Sequence, residues 1–183
     1  MRVSFDLFLV TCRADRCFRP AEEEAHMEFR NRTQMPDLVN RLMEETEHAD
    51  DGRLFLPHLK EIADGAMDDR LIEIEALIDG TDVVGYYEIL NQEYLTDNPG
   101  YSPWLSGTYI FEKYRRQKLS PLLIERACER AGEAGFSDIF AATVLIRYLE
   151  QFGFEEIGLA IDEAGNPCKL YRRMIHTPRQ LNG

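Results

Sequence analysis

The stretch "GTYIFEKYRRQKLSPLLIERACERAGEAGF", residues 107–136, is where the fold is decided. It sets Lys113, Arg115, Arg116 and Lys118 within six positions of a chain whose formal net charge is -12. The segment before them reads as a strand. The stripe behind them, Leu123, Ile124, Ala127, Cys128 and Ala131, follows helical spacing from Ser120 to Glu133. A helix leaves its first N–H groups unpaired and carries about half a positive charge at that end. A strand running directly into such an end makes an anion cradle. Ser120 is a suitable cap, and Pro121 suits the first helical position, where no N–H is missed. Positive charge at this mouth predicts a phosphorylated ligand; the plainer reading is a solvated loop whose cations balance nearby acids.

The rest of the composition narrows the class. A chain of 183 residues with 44% hydrophobic residues fits one globular domain with its own core. Cys12, Cys17, Cys128 and Cys168 form no CxxC pair and no ligand spacing with the histidines, so they read as reduced thiols, with no metal expected. A pI near 4.8 argues against nucleic acid as the main partner and is compatible with a cationic substrate. "MRVSFDLFLVTCR" is interrupted by Asp6 and lacks a cleavage site, and no run approaches a membrane span, so a cytoplasmic protein is expected.

Outward from the cationic turn, the chain alternates strands and helices. Val3, Phe5, Leu7 and Leu9 alternate as a strand, which either extends the sheet or pairs with a second copy in a homodimer. "MEFRNR" is a short strand, and Thr33 is placed to cap a helix carrying Leu38, Val39, Leu42 and Met43. A shorter helix over 56–63 ends at Gly65. Two strands joined by "DGTD" follow, then "WLSGTYIF", the cationic turn and its helix. "FSDIFAA" is a strand, "VLIRYLEQF" a short helix stopped by Gly153, and "EEIGLAI" and "CKLYRRMI" two closing strands.

This order resembles the core of the GNAT superfamily of N-acetyltransferases. That family's pyrophosphate loop reads roughly (Gln/Arg)-x-x-Gly-x-(Gly/Ala), and "IFEKYRRQKLSPLLIERACERA" aligns with it. "IRYLEQFGFEEIG" is similar to the family's "R-x-Y-E-K-x-G-F-E-x-x-G" segment, and "FRNRTQMPDL" and "GTDVVGYYEIL" to its first strand and helix and its third strand. The resemblance implies an α/β fold: a mixed, mostly antiparallel sheet of six to seven strands flanked by about four helices. Residues 27–176 would form this domain, with 1–26 an N-terminal extension and 177–183 a tail. It also implies acetyl-CoA as cosubstrate, an amine as acceptor, and Ile110, Arg115, Arg116, Gln117, Lys118, Leu119 and Ser120 as the cosubstrate-binding segment. Two departures stand out. The motif glycine is Lys118 here, at a place where glycine permits positive φ. The family's acid tyrosine is replaced by Leu149, with Tyr148 one residue earlier; on a regular helix that is about 100° away, which turns Tyr148 aside and leaves the role vacant.

Transfer to an amine also needs a base. Glu88, on the strand "VVGYYEIL" beside Tyr86 and Tyr87, is the candidate, with Glu93 and Tyr94 in the following loop as weaker ones; Trp104 reads as a core or pocket-wall residue. The reading is an acetyl-CoA-dependent N-acetyltransferase acting on a small molecule or protein amine, with Glu88 and Tyr148 as catalytic candidates. The alternative raised by Lys118 and Leu149 is a catalytically weak GNAT-like binding module that acts through partner contacts.

Overall fold

Seven strands form a single sheet in the order β1-β2-β3-β4-β5-β7-β6 in a computed structural model, which describes residues 27–175 except 50, 51, 53, 54, 98 and 146. The strands are β1 (Met27–Asn31), β2 (Leu71–Asp79), β3 (Asp82–Leu90), β4 (Trp104–Ile110), β5 (Asp138–Thr143), β6 (Glu155–Ile161) and β7 (Pro167–Met174). The α-helices among the described residues are α1 (Leu38–Glu47), α2 (Leu56–Ala63) and α3 (Ser120–Glu133), three where about four were expected. The N-terminal alternating strand, the extension at 1–26 and the tail lie outside the described residues.

All neighbouring strands are antiparallel except β4 and β5, which run parallel and meet at one register position, Trp104 opposite Phe140. The pairing stops there, so the sheet opens between β4 and β5 towards the C-terminal end of β4. A second irregularity sits on β4 itself. Glu88 faces Gly107 and Ile89 faces Leu105, so Ser106 is an extra residue, a bulge that kinks the strand.

The two faces of the sheet are covered by different helices. On one, Glu75 of β2 accepts from the Tyr87 hydroxyl (2.5 Å) and from Arg126 Nε of α3 (2.9 Å). Glu75 is 1% exposed, and these bonds offset the cost of burying its charge. The apolar stripe of α3 lies in the core, and Leu123 and Ile124 are fully buried, each contributing about 1.5–3 kcal/mol. On the other face, Tyr86 and Glu88 point towards α2, where Phe55 packs on Tyr109 of β4 at 5.2 Å between ring centroids. No helix among the described residues is long and apolar enough to cross a membrane.

Three local expectations are corrected. α1 starts at Leu38 with Asp37 as its cap residue, because Asn31 Oδ1 accepts from the N–H groups of Thr33 and Gln34 and holds that segment in a turn. At α3 the cap residue is Leu119, no side chain closes the cap, and Ser120 and Pro121 are the first two helical residues. The helix expected over "VLIRYLEQF" shrinks to a 3₁₀ turn, Leu149–Phe152, closed by Gly153 at φ 78°. Cys128 and Cys168 are free and buried, and burial raises the Cys128 thiol to about 11.

Candidate active site

Two cavities open beside β4, and Phe55 borders both. The first, about 400 Å³, lies along the C-terminal half of β4 and is lined by Thr108, Tyr109, Ile110, Arg115, Ser120 and Tyr148, with Leu123 and Phe55. The second, about 330 Å³, lies between α2 and the bulged part of β4, lined by Pro57, His58, Glu61, Glu88, Tyr94, Ser106 and Gly107 with Phe55.

Of the cationic segment, Arg115 lines the first cavity, and the other members differ from it. Arg115 is tied to the strand end: Nε donates to the Ile110 carbonyl (2.9 Å), Nη2 donates to the Tyr109 hydroxyl (3.1 Å), and the guanidinium lies 5.4 Å from the centre of the Tyr109 ring. Lys113 is turned away into an ion pair with Asp82, and that pairing holds the Asp82 carboxyl below its ordinary range. Arg116, Gln117 and Lys118 sit exposed on the turn, while Leu119 is buried in the core and offers only its backbone. Arg116 and Lys118 both adopt left-handed backbone, φ 65° and 58°. Lys118 thus holds the conformation for which the resembling motif uses glycine, at a cost of about 1–2 kcal/mol. α3 begins directly after this turn, with Leu119 as its right-handed cap residue, and the unpaired N–H groups of its first turn make an anion site.

Tyr148 departs from the expectation. Because the regular helix is absent, Tyr148 precedes the 3₁₀ turn, after Arg147 at φ 57°, and its side chain lines the first cavity. Leu149 is 6% exposed and packs into the core. The geometric premise that turned Tyr148 aside does not hold. Ile110, Arg115, Ser120 and Tyr148 therefore meet at one cavity.

Glu88 stands in the second cavity. It is 1% exposed, and Gly107 opposite it brings no side chain between the carboxylate and the cavity. His58 Nε2 lies 2.5 Å from Glu88 Oε2, and Glu88 Oε1 has no hydrogen-bond partner among the described residues. The Tyr94 hydroxyl bonds His58 Nδ1 at 2.8 Å and reaches Glu61 Oε2 at 3.3 Å. Glu93 accepts from the Ser106 hydroxyl at 3.0 Å and from the Tyr94 N–H at 2.9 Å. Burial raises the Glu93 pKa, partly countered by those two bonds. Burial alone would depress His58, but Glu88, then Glu61 and Glu93, outweigh it and raise its pKa above 6.5. The ion pair with Glu88 therefore stabilises the fold fully below about pH 6.5 and less as pH rises through the higher folded value.

The sequence reading missed His58, Glu61, Phe55 and Ser106. His58 and Glu61, three apart on α2, share one helix face. Nothing local says that this face meets Glu88.

Residues 32–154 match the model of the acetyltransferase (GNAT) family. A comparison with curated proteins found no match. Similar solved folds include the GNAT family N-acetyltransferase YhbS from Escherichia coli in complex with CoA, with TM-score 0.63 and 16% identity over 86% of each chain. Aminoglycoside 6'-acetyltransferase type Ii gives TM-score 0.62 and 16% identity over 84% of this chain and 98% of that one. The ribosomal-protein-S18-alanine N-acetyltransferase from Escherichia coli gives 0.58 and 13% over 85% and 97%. At these identities the likeness is one of fold. The family match itself spans well over half of the sequence, and the chain belongs to the acetyltransferase (GNAT) family of N-acetyltransferases.

Proposed function

We propose that the protein transfers the acetyl group of acetyl-CoA to an amine, with the cosubstrate held along the first cavity and the amine in the second. The observation that carries this reading is the pair of cavities bordered by Phe55, one lined by Arg115 and the start of α3, the other by the carboxylates of Glu61 and Glu88. The donor set fits the cosubstrate: the cationic turn and the start of α3 suit a pyrophosphate, and apolar walls suit its arm. When bound, acetyl-CoA supplies an acetyl group activated as a thioester.

The chain's own residues do the rest. Arg115, Arg116 and Lys118 draw the anion to the turn, and the unpaired N–H groups at the start of α3 orient it. The β4 backbone around Ile110, left without a β5 partner where the sheet opens, polarises the acetyl carbonyl through an N–H. Glu61 and Glu88 attract the acceptor as its ammonium, and Glu88 takes the proton that must leave before nitrogen can attack. Phe55 keeps water from the passage between the cavities. The Tyr148 hydroxyl, on the wall of the first cavity, protonates the departing sulfur.

The acceptor is a small-molecule or protein amine. The test pairs Tyr148→Phe with the native protein on a panel of an alkyl monoamine, 1,6-diaminohexane, an amino sugar and a peptide with a free α-amino group. Turnover should fall at least about tenfold while acetyl-CoA affinity holds, the low end of a positioned acid's range. A silent Tyr148→Phe removes that role, and a native protein that acetylates nothing removes the proposal.

A further inference from the structure

We infer that the proton taken from the acceptor amine leaves the protein along an internal chain, Glu88 to His58 to Tyr94 to Glu61, so that His58 and Tyr94 serve the reaction as relay residues. The inference rests on reading Glu88 as the base and adds an exit that this reading does not itself contain. A base must be emptied once per turnover. Glu88 is 1% exposed and its side chain cannot hand a proton to bulk water while the amine fills the cavity in front of it.

A close ion-pair contact followed by two hydrogen bonds supplies another way out. With His58 protonated on both ring nitrogens, Nε2 stands in ion-pair contact with Glu88 Oε2 at 2.5 Å, although its N–H is not aligned as a hydrogen bond, Nδ1–H faces the Tyr94 oxygen (2.8 Å), and the Tyr94 O–H faces Glu61 Oε2 (3.3 Å). Every link then has one donor and one acceptor. With His58 neutral and its proton on Nδ1, Nε2 is open to accept from Glu88 while Nδ1–H still faces the Tyr94 oxygen. Glu61 is exposed, so the far end of the chain meets water. One competitor, Met67 Sδ, lies 3.1 Å from the Tyr94 oxygen and is a weak acceptor.

The step balances without electrons or a co-reactant. An ammonium N–H bond breaks and the Glu88–His58 pair gains the proton, ending as carboxylate and imidazolium. The Nδ1 proton then passes to the Tyr94 oxygen as the Tyr94 proton passes to the Glu61 carboxylate. Glu61 releases it to water, and His58, now carrying its proton on Nε2, returns to the Nδ1–H arrangement by turning its ring before the next turnover. The charged groups facing this chain are Glu88 from β3, Glu61 from α2, Glu93 from the loop after β3, and Arg70, whose guanidinium lies 5.5 Å from the Tyr94 ring centre. Glu93 is not a stage, since its Oε1 is occupied by Ser106 and the Tyr94 N–H.

Tyr94→Phe keeps the ring between His58 and Arg70 and removes only the oxygen. With acetyl-CoA and the amine panel, it should lower kcat about tenfold to a hundredfold, below the loss expected for the base itself. The KM for acetyl-CoA should stay within about twofold, and the solvent deuterium isotope effect should rise as proton transfer becomes limiting. His58→Ala should show the same loss, partly restored by added imidazole. By nitrogen NMR of the free protein, His58 should titrate above 6.5 and Glu88→Gln should bring it down. Acetylation that persists in Tyr94→Phe at the native rate, with an unchanged isotope effect, overturns the relay and leaves the base standing. A His58 that titrates below 6.5 overturns it independently of activity. Failure of the native protein to acetylate any panel amine overturns the base and the relay together.

Discussion

Glu88→Gln lowers kcat/KM for the acceptor amine by about 10²- to 10⁴-fold, the range for loss of a positioned base. Glutamine has the same shape and still meets His58, but it cannot accept a proton at neutral pH. Glu88 Oε1 is also the one carboxylate oxygen of this residue with no bond to relinquish before it acts. The substitution removes the principal partner holding His58 charged, so the pH dependence changes with the rate. In the native protein, activity should climb as pH rises through the raised His58 value, where the relay becomes able to accept a proton. In Glu88→Gln that limb should move to lower pH or vanish. The check is a kcat/KM profile across pH 5 to 9 for both proteins, with unfolding temperatures alongside. A variant that unfolds normally and loses less than about threefold contradicts the assignment.

Gly85→Ala is expected to have the largest effect on stability. Gly85 on β3 pairs with Ile110 on β4, where the sheet is crowded: an added Cβ would stand 2.4 Å from the Tyr109 carbonyl oxygen and 2.8 Å from Ile110 Cδ1. The oxygen belongs to the backbone and cannot swing away, so β4 must move. Overpacking of this kind costs about 1–3 kcal/mol, and the backbone clash puts it at the upper end. For a chain of this size that is a fall in unfolding temperature of roughly 6–12 °C. Because the displaced residues are the wall of the first cavity, acetyl-CoA binding should weaken in the same variant. Thermal unfolding with and without acetyl-CoA reads both, and an unchanged midpoint would show that β4 does not lie this close.

Where a residue's role depends on its immediate neighbours, the sequence was legible. The strands Leu71–Asp79 and Asp82–Leu90, the helix Leu56–Ala63 and the start of α3 at Ser120 follow from alternation, helical spacing and turn residues. Arg115, the strand end at Ile110 and the start of the helix behind them line one cavity. What was not legible depends on contacts far apart in the chain. The Ser106 bulge exists because Gly107 and Leu105 answer to residues on β3. His58 reaches Glu88 across thirty positions because α2 lies over β3, which helical spacing alone cannot show. Tyr148 was misplaced for a local reason: the expected helix shortens to a 3₁₀ turn, and the 100° per residue argument applies only to a regular α-helix. Lys113 looked equivalent to Arg115 until Asp82, on another strand, drew it away.

The account stands on acetyl-CoA binding at the mouth of α3, and calorimetric titration of acetyl-CoA into the native protein, paired with a thermal melt, tests it most directly. It predicts measurable heat and, at about 100 times the dissociation constant, about 2.7 kcal/mol of added stability. That corresponds to a rise of roughly 5–10 °C in the unfolding temperature. No heat and no shift at millimolar acetyl-CoA would contradict it.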